Sequence, residues 1–210
     1  MGKLQIERMV LGQVSTNCYL AINKETKEVI LIDPADAARR IDKKVKESGL
    51  KPVAILLTHG HFDHIGAAAE LSNLYDIMVY AHEAEEDVMS DCMINLSANF
   101  GDPFTAEPDM LVTDRQGLLI ADMKILVLHT PGHTKGSVCY YLPEERVLFS
   151  GDTLFYGSVG RTDFPTGSMS ELVRAAKEKL FVLPDDVKVY PGHGEETTIR
   201  HEKRYNPYLM

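Results

Sequence analysis

The sequence predicts an α/β protein in which two strand-rich halves close as one unit, and three observations predict it. Of its 210 residues, 44% are apolar and 25% charged, a globular composition that excludes a disordered, collagenous or coiled-coil chain. Strand-like and helix-like runs alternate through the first third, whereas the second half is mostly short apolar runs with one well-marked helix. No linker, charge block or low-complexity segment divides the chain, and its length over roughly 150 gives about 1.4 domains, so residues 1–210 are expected to form a single domain.

Cys18 to Ile22 and Val29 to Ile32 flank the polar turn NKETKE and predict an opening hairpin. Asp36 stands where it would cap a helix running to about Glu47, with Ile41 and Val45 on one face and Gly49 past its end. Val53 to Leu57 predicts a buried strand. Ile65, Ala68, Leu71 and Tyr75 then recur at helical spacing, and Met78 to Tyr80 returns to strand. Residues 83–116 mix Met89, Met93, Ile94, Leu96 and Phe100 with polar residues and the turn formers GDP, which predicts a partly helical insertion covering another part of the fold. Further strands are expected at Leu118 to Ile120, Lys124 to His129, Val138 to Leu142, Val147 to Phe149 and Val187 to Tyr190. Before the last of these, Ser168 and Glu171 form a capping box ahead of Leu172, Ala176 and Leu180.

The formal charge is 22 − 31 = −9 and no Lys/Arg cluster of the kind that tracks phosphates appears, which argues against nucleic acid or an anionic membrane as partner. The opening MGKLQIERMVLGQ lacks the apolar run of a secretory signal, and no stretch approaches the ~20 apolar residues of a membrane span, so a cytoplasmic location is expected. Cys18, Cys92 and Cys139 are odd in number and show no CxxC spacing, which points to free thiols rather than a disulfide framework or a thiolate zinc site.

The histidines carry the chemistry. THGHFDHIG places His59, His61, Asp63 and His64 directly after the apolar run VAILL, four metal-capable groups at one strand end. His59 and His61, two apart, would diverge on a helix, whereas a turn leaving a strand aims both inward. Three further polar residues end strands in the same manner, each with a glycine before it: His133 after KILVLHTPG, Asp152 after RVLFSG and His193 after VKVYPG. Any one of these alone reads as a cap or a hydrogen-bonded core residue. Together they are five imidazoles and two carboxylates, and seven ligands plus a shared oxygen match two metals better than one. Asp152, the late carboxylate with two oxygens to divide, is the expected bridge. Neutral imidazole and carboxylate suit two divalent ions, with zinc the first choice and iron or manganese also accepted.

HGHFDH, TPGHTKGS, FSGDTLF and YPGHG, taken in this order, resemble the ligand motifs of the metallo-β-lactamase superfamily along nearly the whole chain. Within that superfamily, GDTLFYGSVGRTDFPTGS and PGHGEETTIRHEKRYNP resemble the short glyoxalase II-like hydrolases, which split thioesters of glutathione. The resemblance implies the four-layer αββα sandwich, two mixed β-sheets packed face to face with helices outside. It implies His59, His61 and His133 on one metal, Asp63, His64 and His193 on the other, and Asp152 between them. It also implies a small-molecule thioester substrate, attacked by a metal-bridging hydroxide that Asp63 orients while one metal stabilises the oxyanion.

Asp33, ending the run VILID, is a candidate for fixing the orientation of a ligand histidine, against the plainer role of starting a turn before Pro34. Arg161, past the glycine-rich GSVG, is a candidate substrate contact together with Asp163, against a salt bridge between the two that only shapes the loop. Glyoxalase II enzymes place a basic residue at the matching position and a Tyr where this chain has Asp163, and they continue into a C-terminal helical domain beyond the point where Met210 ends this sequence. The competing reading is a persulfide dioxygenase-like oxidoreductase holding one iron on His59, His133 and Asp152, which resembles this chain in GRTDF but differs at PGHG. Nuclease activity is disfavoured by the acidic balance, and β-lactamase activity by the absence of an export signal. His82, His129 and His201 lack clustered partners and are expected as ordinary surface or core histidines, Tyr156 as loop packing, and the oligomeric state is left open.

Overall fold

A computed structural model describes residues 2–210. The chain begins with β1 (Leu4–Leu11), β2 (Thr16–Asn23), β3 (Glu28–Ile32), α1 (Ala38–Glu47) and β4 (Lys51–Leu56). It continues through α2 (Phe62–Ile65), α3 (Ala68–Tyr75), β5 (Val79–His82), α4 (Glu86–Met89), α5 (Ser97–Phe100) and β6 (Met110–Val112). The second half runs β7 (Gly117–Ile120), β8 (Met123–His129), β9 (Val138–Leu142), β10 (Val147–Gly151), the small hairpin β11 (Leu154–Phe155) and β12 (Ser158–Val159), then α6 (Met169–Ala175), β13 (Lys188–Pro191), β14 (Thr197–Thr198) and α7 (Ile199–Tyr205).

Two six-stranded sheets result, ordered β1-β2-β3-β4-β5-β6 and β14-β13-β10-β9-β8-β7. Both are mixed. The first opens with the antiparallel pairs β1/β2 and β2/β3 and turns parallel from β3 to β6; in the second, β10 pairs parallel with β13 and antiparallel with β9. Strands buried on both faces read as unbroken apolar runs, and β3 illustrates the reason. Val29 and Leu31 point outward onto Ile41, Val45 and Leu71 of the first helical layer, while Ile30 and Ile32 point inward. Between the sheets, Tyr19, Ile30 and Leu56 pack against Ile125, Val127, Tyr140 and Phe149. On the far side, Leu148 and Val189 meet Leu172, Leu180 and Ile199 of α6, its continuation and α7. The layers are therefore helix, sheet, sheet, helix.

Several elements depart from expectation for identifiable reasons. Asp36 does not cap α1: the helix starts at Ala38 after Ala37 in the left-handed region, and the Asp36 carboxylate instead accepts from the Ala37 N–H. The helix expected through Ile65 and Tyr75 is two, because the Ala67 N–H leaves the helical ladder to bond the Pro34 carbonyl at 2.9 Å. The edge strand β1, whose run LQIERMVL mixes polar and apolar positions without strict alternation, and α7, within a charged terminal run and capped by Thr198, carry weak sequence signals. Ser168 caps α6, its hydroxyl accepting from the Glu171 N–H at 3.4 Å, but the expected capping box is not closed, because the Ser168 N–H donates to the Gly132 carbonyl at 2.8 Å instead of to Glu171. No helix among the described residues is long and apolar enough to cross a membrane.

Candidate metal centre

The loops that follow β4, β8, β10 and β13 meet at one end of the sandwich, stitched together by backbone bonds between sheets. The Val138 N–H donates to the Thr58 carbonyl at 2.8 Å, and the Asn17 N–H to the Gly192 carbonyl at 2.7 Å. Two glycines make the convergence possible. Gly151 sits at φ +48°, and a Cβ on Gly192 would collide with the Asp152 carboxylate and the His64 ring.

All seven expected donors arrive here, in three overlapping groups: His59, His61 and His133; His59, His64 and Asp152; and Asp63, His64 and His193. His133 Nε2 lies 3.2 Å from His59 Nε2 and 2.9 Å from His61 Nδ1. Ligand nitrogens at 2.0–2.1 Å from a tetrahedral ion stand roughly 3.3–3.4 Å apart, close to this spacing. Asp152 stands between the groups, its Oδ1 3.5 Å from His64 Nε2 and its Oδ2 3.5 Å from both His133 Nε2 and His193 Nε2. Asp63 Oδ2 closes the other side, 3.4 Å from His64 Nε2 and 3.3 Å from His193 Nε2.

This arrangement fits cations better than it fits itself. His61 Nε2, His64 Nε2 and Asp152 Oδ1 are buried with no hydrogen-bond partner among the described residues, an expensive condition for polar atoms. Burial holds His59 and His61 well below the ordinary imidazole range and lowers His133, so these rings are neutral, the form that ligates metal. Burial likewise opposes charge on His64, but Asp63, Asp33 and Asp152 outweigh it and raise that ring to about 10. Asp63 is held below the usual carboxylate range because His64, His193 and Thr16 together overcome its burial.

Outer partners fix the rings. His64 Nδ1 donates to Asp33 Oδ2 at 2.9 Å, and Asp33 is itself held by the Thr58 N–H and hydroxyl, both at 2.7 Å. His133 Nδ1 donates to the Arg161 carbonyl at 2.7 Å. Sequence reasoning missed three residues. The Thr16 hydroxyl donates to Asp63 Oδ2 at 2.6 Å, and the Asn17 amide holds the Pro191 and Gly194 carbonyls on either side of His193. Glu85, fully buried, accepts from the Gly60 N–H with one oxygen and from the Thr134 hydroxyl and Gly136 N–H with the other, so that it clasps the His59–His61 loop to the His133 loop. Burial pushes its carboxyl up to about 7 against those donors. The only sequence signal is an acidic residue inside an otherwise helical insertion.

A cavity of about 380 Å³ opens over the donors, lined by His61, Asp63, His133, Asp152 and His193 and walled largely by apolar side chains. The insertion covers it: Leu96 and Phe100 lie in the wall, and Phe100 stacks on Phe62 with centroids 4.6 Å apart. Arg161 also lines the cavity, but Asp163 grips its guanidinium at 2.8 and 2.7 Å. Tyr156 and His201 stack on each other at 4.7 Å, and neither lines the cavity. His82 and His129 stack at 4.1 Å, outside the donor groups.

The chain is similar to known proteins along its length. The probable metallo-hydrolase YqgX of Bacillus subtilis is 40% identical over 204 residues, covering 96% of each chain. The hydroxyacylglutathione hydrolase GloC of Haemophilus influenzae is 35% identical over 209 residues, covering 98% of each. The crystal structure of BLEG-1, a B3 metallo-β-lactamase, matches with a TM-score of 0.94 at 40% identity, covering 98% of this chain and all of that one. TTHA1623, solved in a di-iron-bound form, matches at 0.87 and 37% identity, covering 97% of this chain and all of that one. The model of the metallo-beta-lactamase superfamily matches residues 11–193, a span that holds all seven donors, and the chain belongs to that superfamily.

Proposed function

We propose that the chain is a dinuclear metal-dependent hydrolase of small acyl thioesters. The observation that carries this reading is the division of seven donors about Asp152, with His59, His61 and His133 to one side and Asp63, His64 and His193 to the other. Bound there, two dications supply Lewis acidity for a carbonyl oxygen and lower the pKa of water from 15.7 towards ~7. Zinc, iron and manganese all suit this donor set.

The protein's own groups do the rest. Asp63, held by Thr16 and kept ionised, orients the attacking water rather than storing its proton. Asp33 and the Arg161 carbonyl lock two rings so that their inward nitrogens remain free for metal. Aromatic edges on both flanks limit bulk water: Phe164 stands 5.8 Å from His61 and Phe155 6.1 Å from His193. A thiolate, whose conjugate acid has a pKa near ~8.5, leaves without a dedicated general acid, and the site offers no side chain placed to be one. The similarity to GloC over the whole chain supports a thioester. A cytoplasmic setting, expected from the sequence, suits such a substrate.

The test is metal analysis together with turnover. Protein isolated without added metal should contain close to two ions per chain and hydrolyse a thioester panel, and His61→Ala should abolish turnover. Unchanged turnover in that variant would end the proposal. A single iron per chain with oxygen uptake on a persulfide would transfer the site to the one-iron reading, which leaves Asp63, His64 and His193 converged without a role.

A further inference from the structure

We infer that the cavity selects the acyl half of its substrate, favouring a short apolar or aromatic acyl group, and gives the carboxylate ends of a peptide-like thiol no dedicated partner. The inference rests on the thioester reading above and specifies its substrate class.

Shape and wall chemistry argue first. At about 380 Å³ the cavity lies near the small end of ligand sites. Away from the donors its wall is Val14, Leu96, Phe100, Phe155, Val159 and Phe164. The two edge-on rings place one aromatic beside each metal-holding group, and the Phe62–Phe100 stack closes a third side. An acyl chain attached to a carbonyl at the centre would therefore lie against carbon. The hydroxyl of a hydroxyacyl group would find one candidate in the wall outside the donors and Arg161, Ser158, whose own hydroxyl turns to the Val159 carbonyl at 3.4 Å. A polar group pressed onto such a wall without a partner loses its water for nothing.

Charge argues second. Arg161 is the one Lys or Arg among the described residues lining the cavity. Its Nε and Nη2 donate to Asp163, and the guanidinium lies over Phe164 with Cζ 3.9 Å from the ring centroid. That pairing occupies the Nε–Nη2 edge, one of the two bidentate edges a substrate carboxylate could use, and it turns Arg161 into a support for the Phe164 wall. Beyond the Phe62–Phe100 stack lies a second recess of about 190 Å³ lined by Asp36 and Asp102. The two terminal carboxylates of a thiol such as glutathione meet an arginine already paired with Asp163 on one side and acid on the other.

The experiment compares thioesters that vary one half at a time on the metal-loaded protein. With N-acetylcysteamine as thiol, hexanoyl and benzoyl should exceed lactoyl in kcat/KM by about tenfold or more, the scale of a few methylenes in an apolar pocket. With the acyl group constant, exchanging N-acetylcysteamine for glutathione should change kcat/KM less than about threefold. Phe100→Ala should narrow the hexanoyl-to-lactoyl ratio, and Asp163→Asn, which frees Arg161, should shift the thiol preference towards glutathione. A preference for lactoyl, or a tenfold preference for glutathione in the parent protein, would overturn the inference. If no thioester is turned over, the thioester reading fails by itself. Calorimetry with hexanohydroxamate and lactohydroxamate then still decides the cavity: tighter hexanoyl binding that Phe100→Ala removes sustains the apolar wall, and equal binding overturns it.

Discussion

At the end of β4, one short run from His59 to His64 brings four donors to the site, whereas the second sheet brings three from the ends of three different strands, His133, Asp152 and His193. In the first region the backbone gathers the donors, and Asp33, Thr16 and Glu85 then hold them. His61 stands in extended geometry just before α2, and Asp63 and His64 ride the first turn of that helix. In the second, no donor has a neighbour to orient it, and each is held from far along the chain: His133 by the Arg161 carbonyl and the Glu85 clasp, His193 by Asn17, and Asp152 in the space Gly192 leaves open. Donors adjacent in sequence share one strand end and one helix start, and distant partners such as Asp33 and Thr16 then fix individual rings and carboxylates. Donors on separate strands need partners that exist only once the sheets have closed.

Glu85 ties the two regions together, and removing it should have the largest effect on stability. Glu85→Ala leaves the Gly60 and Gly136 N–H groups buried without their acceptor, while the Thr134 hydroxyl keeps Ser137 Oγ at 2.7 Å. At ~1–3 kcal/mol for each unsatisfied group, the loss is about 2 kcal/mol or more. Denaturant unfolding of the metal-free protein measures it. Glu85→Gln, which keeps an acceptor for one side, should recover part of the loss. An unchanged midpoint in Glu85→Ala would show that the two regions hold their positions independently.

The asymmetry also explains what was legible beforehand. HGHFDH announces a site because its donors are consecutive, and the glycines before His133, Asp152 and His193 mark strand ends that turn sharply. The apolar runs on both sides of those motifs reveal two buried sheets, since strands covered on both faces cannot alternate. Glu85, Thr16 and Asn17 were invisible because they act on backbone groups or carboxylates 25, 47 and 174 residues away. The break between α2 and α3 was hidden for the same reason: the bond from Ala67 to Pro34 crosses between segments, and no local pattern records it. Arg161 and Asp163 were legible as a pair but not as a wall, because only the fold brings Phe164 under the guanidinium.

A smaller effect separates the two donor groups. Asp33→Asn keeps the side-chain size and suits the left-handed backbone at φ +48°, where Asn is tolerated as Asp is. It replaces one acceptor oxygen of the carboxylate shared by His64 and Thr58 with an amide nitrogen. Outer partners of this kind are worth roughly 10–100-fold in metal affinity. Titration with a divalent ion should show one of two sites weakened by that factor, the one that uses His64, with the His59–His61–His133 group unchanged. Equal weakening of both would mean that the run from His59 to His64 responds as a unit.

The smallest effect concerns a second contact between the two sheets, away from the donors. His82 ends β5 and His129 ends β8, and their rings stack at 4.1 Å with an interplanar angle of 12°. His82 Nδ1 accepts from the Ala84 N–H, one residue before the Glu85 clasp. Burial and then His129 depress His82 to about 4, with Asp114 opposing and Lys179 adding to the depression. A histidine near 6.5 when unfolded and near 4 when folded binds its proton more readily in the unfolded chain, so stability is full above about pH 6.5 and declines as pH falls towards 4. His82→Gln cannot gain that proton and should lose less Tm between pH 7 and pH 5 than the parent protein, by a few degrees. Measured on metal-free protein alongside Glu85→Ala, the result divides the join between the sheets into a pH-sensitive stack and the clasp beside it. Identical pH dependence in His82→Gln and the parent would leave Glu85 as the contact that couples the insertion to the His133 loop.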